Sequence, residues 1–211
     1  MEPVYVTDTA ALRALCDRLR RSDVVGIDTE FMRERTYYAK LCLVQVASRE
    51  EAALIDPLAP GIDLAPLDEL LADPDVVKIL HAGTQDLEIF FQRTGRVPAP
   101  VFDTQVAATL AGYPTQVGYA ALVHGALGIT LAKGEQFTDW ARRPLSDRQL
   151  TYAEADARHL PAVHDRLVAA LESEGRGGWL ADDFARLEDP ATYTVVPEEQ
   201  YRRVKRASAS A

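Results

Sequence analysis

The apolar pattern of this chain changes period part-way along, and that change restricts its possible folds more than any other feature. Residues 24–31 (VVGIDTEF), 41–47 (LCLVQVA) and 52–55 (AALI) have the composition of strands. The short stretches between them suit antiparallel neighbours. Helices and strands then alternate. Residues 66–72 predict a short helix and 76–81 (VVKILH) a buried strand. Residues 85–93 predict a helix with Thr84 as its N-cap, and 101–103 a short strand leading into another helix. From Gly118 onward the pattern is helical. Its longest segment starts at Ser146, a good N-cap, and reaches about residue 172, with Pro161 kinking or breaking it. A first helix, capped by Thr7 or Asp8, runs to about Arg21. Hairpin strands followed by β-α-β-α units predict an α/β fold with a mixed sheet covered by helices.

A chain of 211 residues suits one domain with a sizeable core, expected over residues 1–188. Residues 189–211 have the composition of a linker or disordered basic tail. They contain Pro190, Pro197, a run of Arg202, Arg203, Lys205 and Arg206, and an Ala-Ser ending. No apolar run reaches the roughly 18 residues of a membrane helix. The opening MEPVYVTDTAAL lacks the basic start and apolar stretch of a secretory signal. Cys16 and Cys42 form no CxxC pair, and predict two small buried side chains in a reducing cytoplasm. The net charge of −9 argues against a generic nucleic-acid coat protein. An acidic metal site alters that inference, because bound cations supply the positive charge that phosphate needs.

Three groups of residues carry candidate chemistry. Strand side chains alternate between faces, so Gly26, Asp28 and Glu30 share one side of their strand. Adjacent acids repel each other unless a cation or proton intervenes, and Gly26 leaves space beside them. Asp86, in HAGTQDLEIF, falls in the first turn of a helix after a buried strand. That is the C-terminal edge of the sheet, a frequent location for α/β sites. Glu88 points to a different side of this helix. Tyr152 and Asp156, in TYAEADARHL, are four apart and share a helix face. Each group alone has an ordinary structural reading: a solvated strand end, an acid favoured by the helix macrodipole, a core tyrosine beside a surface acid. Together they form an all-oxygen donor set that suits Mg²⁺ or Mn²⁺ rather than zinc. Two such ions about 3.5–4 Å apart can clamp the attacking and leaving oxygens of an in-line phosphoryl displacement.

The sequence resembles ribonuclease D, within the DEDD superfamily of 3′→5′ exonucleases. The resemblance covers about residues 1–188. It rests on DTEFMRERTYY at 28–38, LVQVA at 43–47, HAGTQDLE at 81–88, FDTQ at 102–105, TDW at 138–140 and RPLSDRQLTYAEAD at 143–156. It implies a ribonuclease-H-like fold and a metal-dependent exoribonuclease that releases 5′-mononucleotides from single-stranded RNA 3′ ends, in transfer-RNA or other structured-RNA processing. By analogy, Asp28 bridges two divalent ions, Mg²⁺ or Mn²⁺. Glu30 and Asp156 complete the site of the first ion and Asp86 supports the second. Tyr152 aligns the attacking water. Some members use a histidine five positions before the last Asp. Here that position is Thr151 and the next is Tyr152, which implies the tyrosine subtype. Ribonuclease D proper continues into helical nucleic-acid-binding domains, and EEQYRRVKRASASA resembles the lead-in to one.

Other residues are weaker candidates. Asp103 suits a helix cap better than a ligand, and His81 either orients the turn before Asp86 or is a satisfied structural histidine. His159 lies near the Tyr152 face, while His124 and His164 have the setting of ordinary helix residues. Arg33, Arg35, Tyr37, Tyr38, Arg142 and Arg143 are candidates to touch phosphates or stack on bases. Arg18, Arg20 and Arg21 suit the outer face of a helix. The alternatives to an exoribonuclease are a DNA exonuclease on the same scaffold and a non-catalytic nucleic-acid-binding domain.

Overall fold

A computed structural model describes residues 4–33, 38–132 and 138–194. In chain order the elements are β1 (Val4–Val6), α1 (Thr9–Leu19), β2 (Val24–Met32), β3 (Lys40–Ala47), β4 (Ala52–Ile55), α2 (Ala65–Leu71) and β5 (Val77–Leu80). There follow α3 (Thr84–Thr94), β6 (Val101–Asp103), α4 (Thr104–Leu110), α5 (Tyr119–Leu127), α6 (Asp147–Arg158), α7 (Leu160–Ser173) and α8 (Ala181–Glu188).

The six strands form one mixed sheet in the order β1-β4-β3-β2-β5-β6. β2, β3 and β4 pair antiparallel as the short connections predict, and β1, β5 and β6 join in parallel. On one side the sheet buries Val25, Ile27, Val44 and Val46 against Leu12, Leu15, Leu67 and Leu70 of α1 and α2. On the other, Ile79 and Phe102 pack under Leu160, Val163 and Leu167 of α7 and Ala107 of α4. A third cluster places Leu43 and Leu54 beneath Trp140, Leu145 and Ala153. This α/β sandwich is the ribonuclease-H-like arrangement that the sequence resemblance implies.

Several expectations change in detail. β1 was not expected; its three residues become a strand only by pairing with β4. Thr84 is the first residue of α3 rather than its cap, and Gly83 takes the cap position without a side-chain bond. The helical reading from Gly118 onward fails between α5 and α6, where residues 129–132 and 138–146 are non-helical. The break expected at Pro161 is present but falls at His159: the long segment is two helices, α6 and α7, with Pro161 in the first turn of α7. A proline is tolerated there because first-turn N–H groups lack helical partners.

The packed body also continues past residue 188, inside the expected linker. Glu188 Oε1 accepts from the Val101 backbone N–H at 2.8 Å. Pro190–Thr192 form a short 3-10 turn, and Tyr193 is buried with Leu80, Leu87 and Val101. The basic run lies outside the described residues. Among the described residues, no helix is long and apolar enough to cross a membrane.

Candidate active site

β2 carries Asp28 and Glu30 to the edge of the sheet, and α6 carries Tyr152 and Asp156 over it. The start of α6 is set by a capping box. Ser146 Oγ accepts from the Gln149 N–H at 3.3 Å, and the Ser146 N–H donates to Gln149 Oε1 at 3.0 Å. Gly26 governs how closely helix and strand approach. A Cβ at that position would lie 2.8 Å from Leu160 Cβ and 3.0 Å from the Ala157 carbonyl oxygen. Its absence lets the α6–α7 junction settle on β2. One carboxylate oxygen from each of Asp28, Glu30 and Asp156 then lies within 4.8 Å of the others. A register shift between Glu30 and Phe31 follows at once. Such bulges re-aim side chains near functional edges.

Asp86 arrives from the other side, in the first turn of α3. The turn before it contains Ala82 with φ +54°. The Asp103 carboxylate holds that turn, accepting from the Ala82 and Gly83 N–H groups at 3.1 and 2.9 Å. It also caps α4 through the Gln105 N–H at 2.8 Å. Asp103 therefore has the structural role expected of it. Asp86 itself is buried and accepts a hydrogen bond from the Thr29 hydroxyl. It stands outside the tight trio of carboxylates but lines the same cavity, of about 400 Å³, with Asp28, Glu30, Tyr152 and Asp156.

Burial dominates the electrostatics, and at Asp28 and Glu30 the neighbouring acids add to it. Burial, then the neighbouring Asp86, Asp156 and Glu30, push the Asp28 carboxyl well above its ordinary range. Burial and the charges of Asp156 and Asp86 push Glu30 up to about 8. Asp86 rises to about 6 by burial, against the pull of the Thr29 hydrogen bond. Asp156 also rises to about 6 by burial, with the adjacent Tyr152 hydroxyl pulling the other way. Burial and the surrounding carboxylates raise the Tyr152 phenol, so it stays protonated and serves as a donor. Trp140 supports its ring at a centroid distance of 6.2 Å.

The remaining candidates separate clearly. His81 lines the cavity, yet both ring nitrogens are engaged, Nε2 with the Val117 carbonyl at 3.0 Å and Nδ1 with Thr104 Oγ1 at 2.9 Å. Burial also lowers its pKa. It is a satisfied structural histidine that braces the turn before Asp86. Arg143 is not the free phosphate contact it was a candidate to be. It grips Asp56 with two bonds of 2.6 Å and donates to the Cys42 carbonyl at 2.7 Å. Arg33 pairs with Glu88 at 2.9 Å, and Arg142 is exposed. Arg35 and Tyr37 lie outside the described residues; Tyr38 is exposed. His164 packs edge-on against Phe102, and His124 contacts Thr130. Arg18 bonds Glu51 on the outer surface. Sequence reasoning missed Thr29 and Tyr119, both of which line the cavity. Thr29 lies between the two first acids, where a hydroxyl is the only signal. Tyr119 had no local signal.

Residues 3–172 match the family model described as 3′-5′ exonuclease. The chain belongs to this 3′-5′ exonuclease family. Among curated relatives, Ribonuclease D of Gluconacetobacter diazotrophicus is 52% identical over 204 residues, covering 97% of this chain and 52% of that protein. The chain thus spans about half the length of the curated relatives it matches. Among solved structures, Escherichia coli RNase D is 39% identical with a TM-score of 0.88, over 96% of this chain and 54% of that one. Brucella melitensis NrnC with bound Mg²⁺ is 25% identical with a TM-score of 0.78, over the full length of both chains. NrnC is also solved bound to pGG, with 27% identity, a TM-score of 0.79, and 100% of this chain and 99% of that one covered. The family match extends over α6, so the fold around every one of the clustered acids is family structure.

Proposed function

We propose that this chain is the catalytic domain of a metal-dependent 3′→5′ exoribonuclease, releasing 5′-mononucleotides from RNA 3′ ends. The observation that carries this reading is the convergence of Asp28, Glu30 and Asp156 to within 4.8 Å, with Asp86 and Tyr152 on the same cavity. The donor chemistry fits divalent metal. All donors are carboxylate oxygens, which suits Mg²⁺ or Mn²⁺. Their raised pKa values mark a cluster that needs protons or cations to be stable. Asp28, Glu30 and Asp156 would hold one ion, and Asp28 with Asp86 a second. When bound, such a pair acidifies a water and neutralises charge on the departing 3′ oxygen.

The chain's own groups do the positioning. The Tyr152 hydroxyl, kept protonated and hydrogen-bonded to Asp156 in the metal-free site, would turn to the attacking water and align it once Asp156 ligates metal. It cannot act as base, and His81 is tied up, so neither removes the proton from that water. Thr29 fixes Asp86, and Asp103 fixes the turn that presents it. The Ribonuclease D relatives and the E. coli enzyme, described as an exoribonuclease involved in structured RNA processing, support RNA over DNA. Transfer-RNA precursors are the substrate class this suggests. The two buried free cysteines accord with a cytoplasmic setting.

The test uses single-stranded RNA and matched DNA labelled at the 5′ end, with Mg²⁺, Mn²⁺ or EDTA. We expect a shrinking ladder that requires metal, runs faster on RNA, and disappears in Asp28→Ala. Tyr152→Phe should slow it by roughly 10²-fold, more than it weakens metal binding. Near-normal turnover by Asp28→Ala would sink the metal assignment, and faster DNA shortening would reassign the substrate.

A further inference from the structure

Gln45 sits in the middle of β3, fully buried, and neither its carboxamide nitrogen nor its oxygen has a partner among the described residues. A buried amide left unpaired keeps the full penalty of losing its water, so a glutamine at this position calls for a physical reason. Its surroundings point to one. Directly opposed residues of an antiparallel pair share a face, with Cβ atoms about 4.5–5.5 Å apart. Gln45 is opposed by Asp28 on β2 and by Leu54 on β4. Along its own strand, the residues on that face are Leu43 and Ala47, both fully buried. Of these four neighbours in the sheet, Asp28 alone is polar. The face is covered by α6, whose Ala153 packs with Leu43 and Leu54.

We infer that Gln45 is a positioning residue for the metal centre: its carboxamide N–H, unpaired in the metal-free site, donates to the Asp28 carboxylate when metal is bound and holds it in the orientation that ligates metal. The inference rests on the metal-centre reading above. A glutamine side chain spans the cross-strand distance. A carboxamide also suits the task better than a cation would. It fixes the ligand by a hydrogen bond while leaving the site's negative charge available to metal. Hydrogen bonds to ligating carboxylates typically govern metal affinity 10- to 100-fold.

The experiment is calorimetric titration of Mn²⁺ into EDTA-stripped, dialysed protein. It compares wild type with Gln45→Met, Gln45→Leu and Asp28→Ala, and records thermal melting of each metal-free form. Both Gln45 variants should bind Mn²⁺ about 10- to 100-fold more weakly. Their metal-free melting temperature should hold or rise, because an unpaired amide has been replaced by apolar atoms. Wild-type affinity in either folded variant overturns the inference. So does a lower metal-free melting temperature, or failure to fold, in both variants, since each marks the amide as structural. If wild type itself shows no Mn²⁺ binding that Asp28→Ala removes, the metal-centre reading fails first. Binding by wild type that both Gln45 variants share in full rejects the Gln45 role alone.

Discussion

Burial, Asp156 and Asp86 all push the Glu30 carboxyl upward, and the consequence is a stability that depends on pH. Carboxyls in an unfolded chain titrate near 4. In the fold, Asp86 and Asp156 titrate near 6, Glu30 near 8, and Asp28 well above its usual range. Between these limits the native state holds more protons than the unfolded state, so stability falls as pH rises through the window from about 4 to about 8. The EDTA-treated protein should therefore melt at a higher temperature at pH 5 than at pH 8. Mn²⁺ should narrow the gap by compensating the ionised acids, and Glu30→Gln should flatten its upper part. A metal-free melting temperature independent of pH would contradict the raised titration of these buried acids.

At the scale of elements, the site depends on how α6 and α7 meet β2. The packing at Gly26 sets that contact. Gly26→Ala forces a Cβ against a backbone carbonyl and the Leu160 side chain, at 3.0 and 2.8 Å. Neither yields without moving the junction that carries Asp156. We expect a loss of about 1–3 kcal/mol, the usual cost of overpacking, together with weaker Mn²⁺ binding. Gly178 meets nothing within 4 Å at its Cβ position, so Gly178→Ala serves as the control and should change stability little. Chemical denaturation and Mn²⁺ titration of the two variants separate a local packing effect from an effect transmitted to the site.

Across the whole molecule, Arg143 ties together parts distant in sequence. It leads into α6, bonds the Asp56 carboxylate after β4, and reaches the Cys42 carbonyl in β3; Tyr5 of β1 shares Asp56 at 2.6 Å. Burial pushes the Asp56 carboxyl up, but the hydrogen bonds from Arg143 and Tyr5 outweigh it and hold it below the usual range. Removing the guanidinium leaves a buried carboxylate without its counter-ion, held only by the Tyr5 hydroxyl and the Leu58 N–H, and breaking a buried pair typically costs up to about 3–5 kcal/mol. Arg143→Ala should therefore lower stability sharply. At temperatures where the variant remains folded, RNA affinity should be nearly unchanged. A large affinity loss with intact stability would return Arg143 to the phosphate-binding candidates. Lysine should not rescue, because it lacks the two-pronged geometry.

The sequence by itself determined the α/β class, the antiparallel β2-β3-β4 core of the sheet, and the acids to consider. These follow from local rules. Alternation puts Asp28 and Glu30 on one strand face, and a spacing of four puts Tyr152 and Asp156 on one helix face. The tertiary structure alone decided how these acids are held and which charged neighbours are free. Thr29 meets Asp86 across 57 residues of chain, and Arg143 meets Asp56 across 87. β1 exists because β4 is beside it, and Tyr193 extends the body because a pocket near β6 receives it. Periodicity encodes the direction a side chain takes from its own element. It does not encode which distant element will be there to meet it, and in this protein those meetings fix Asp86, lock Arg143 and leave Gln45 facing Asp28.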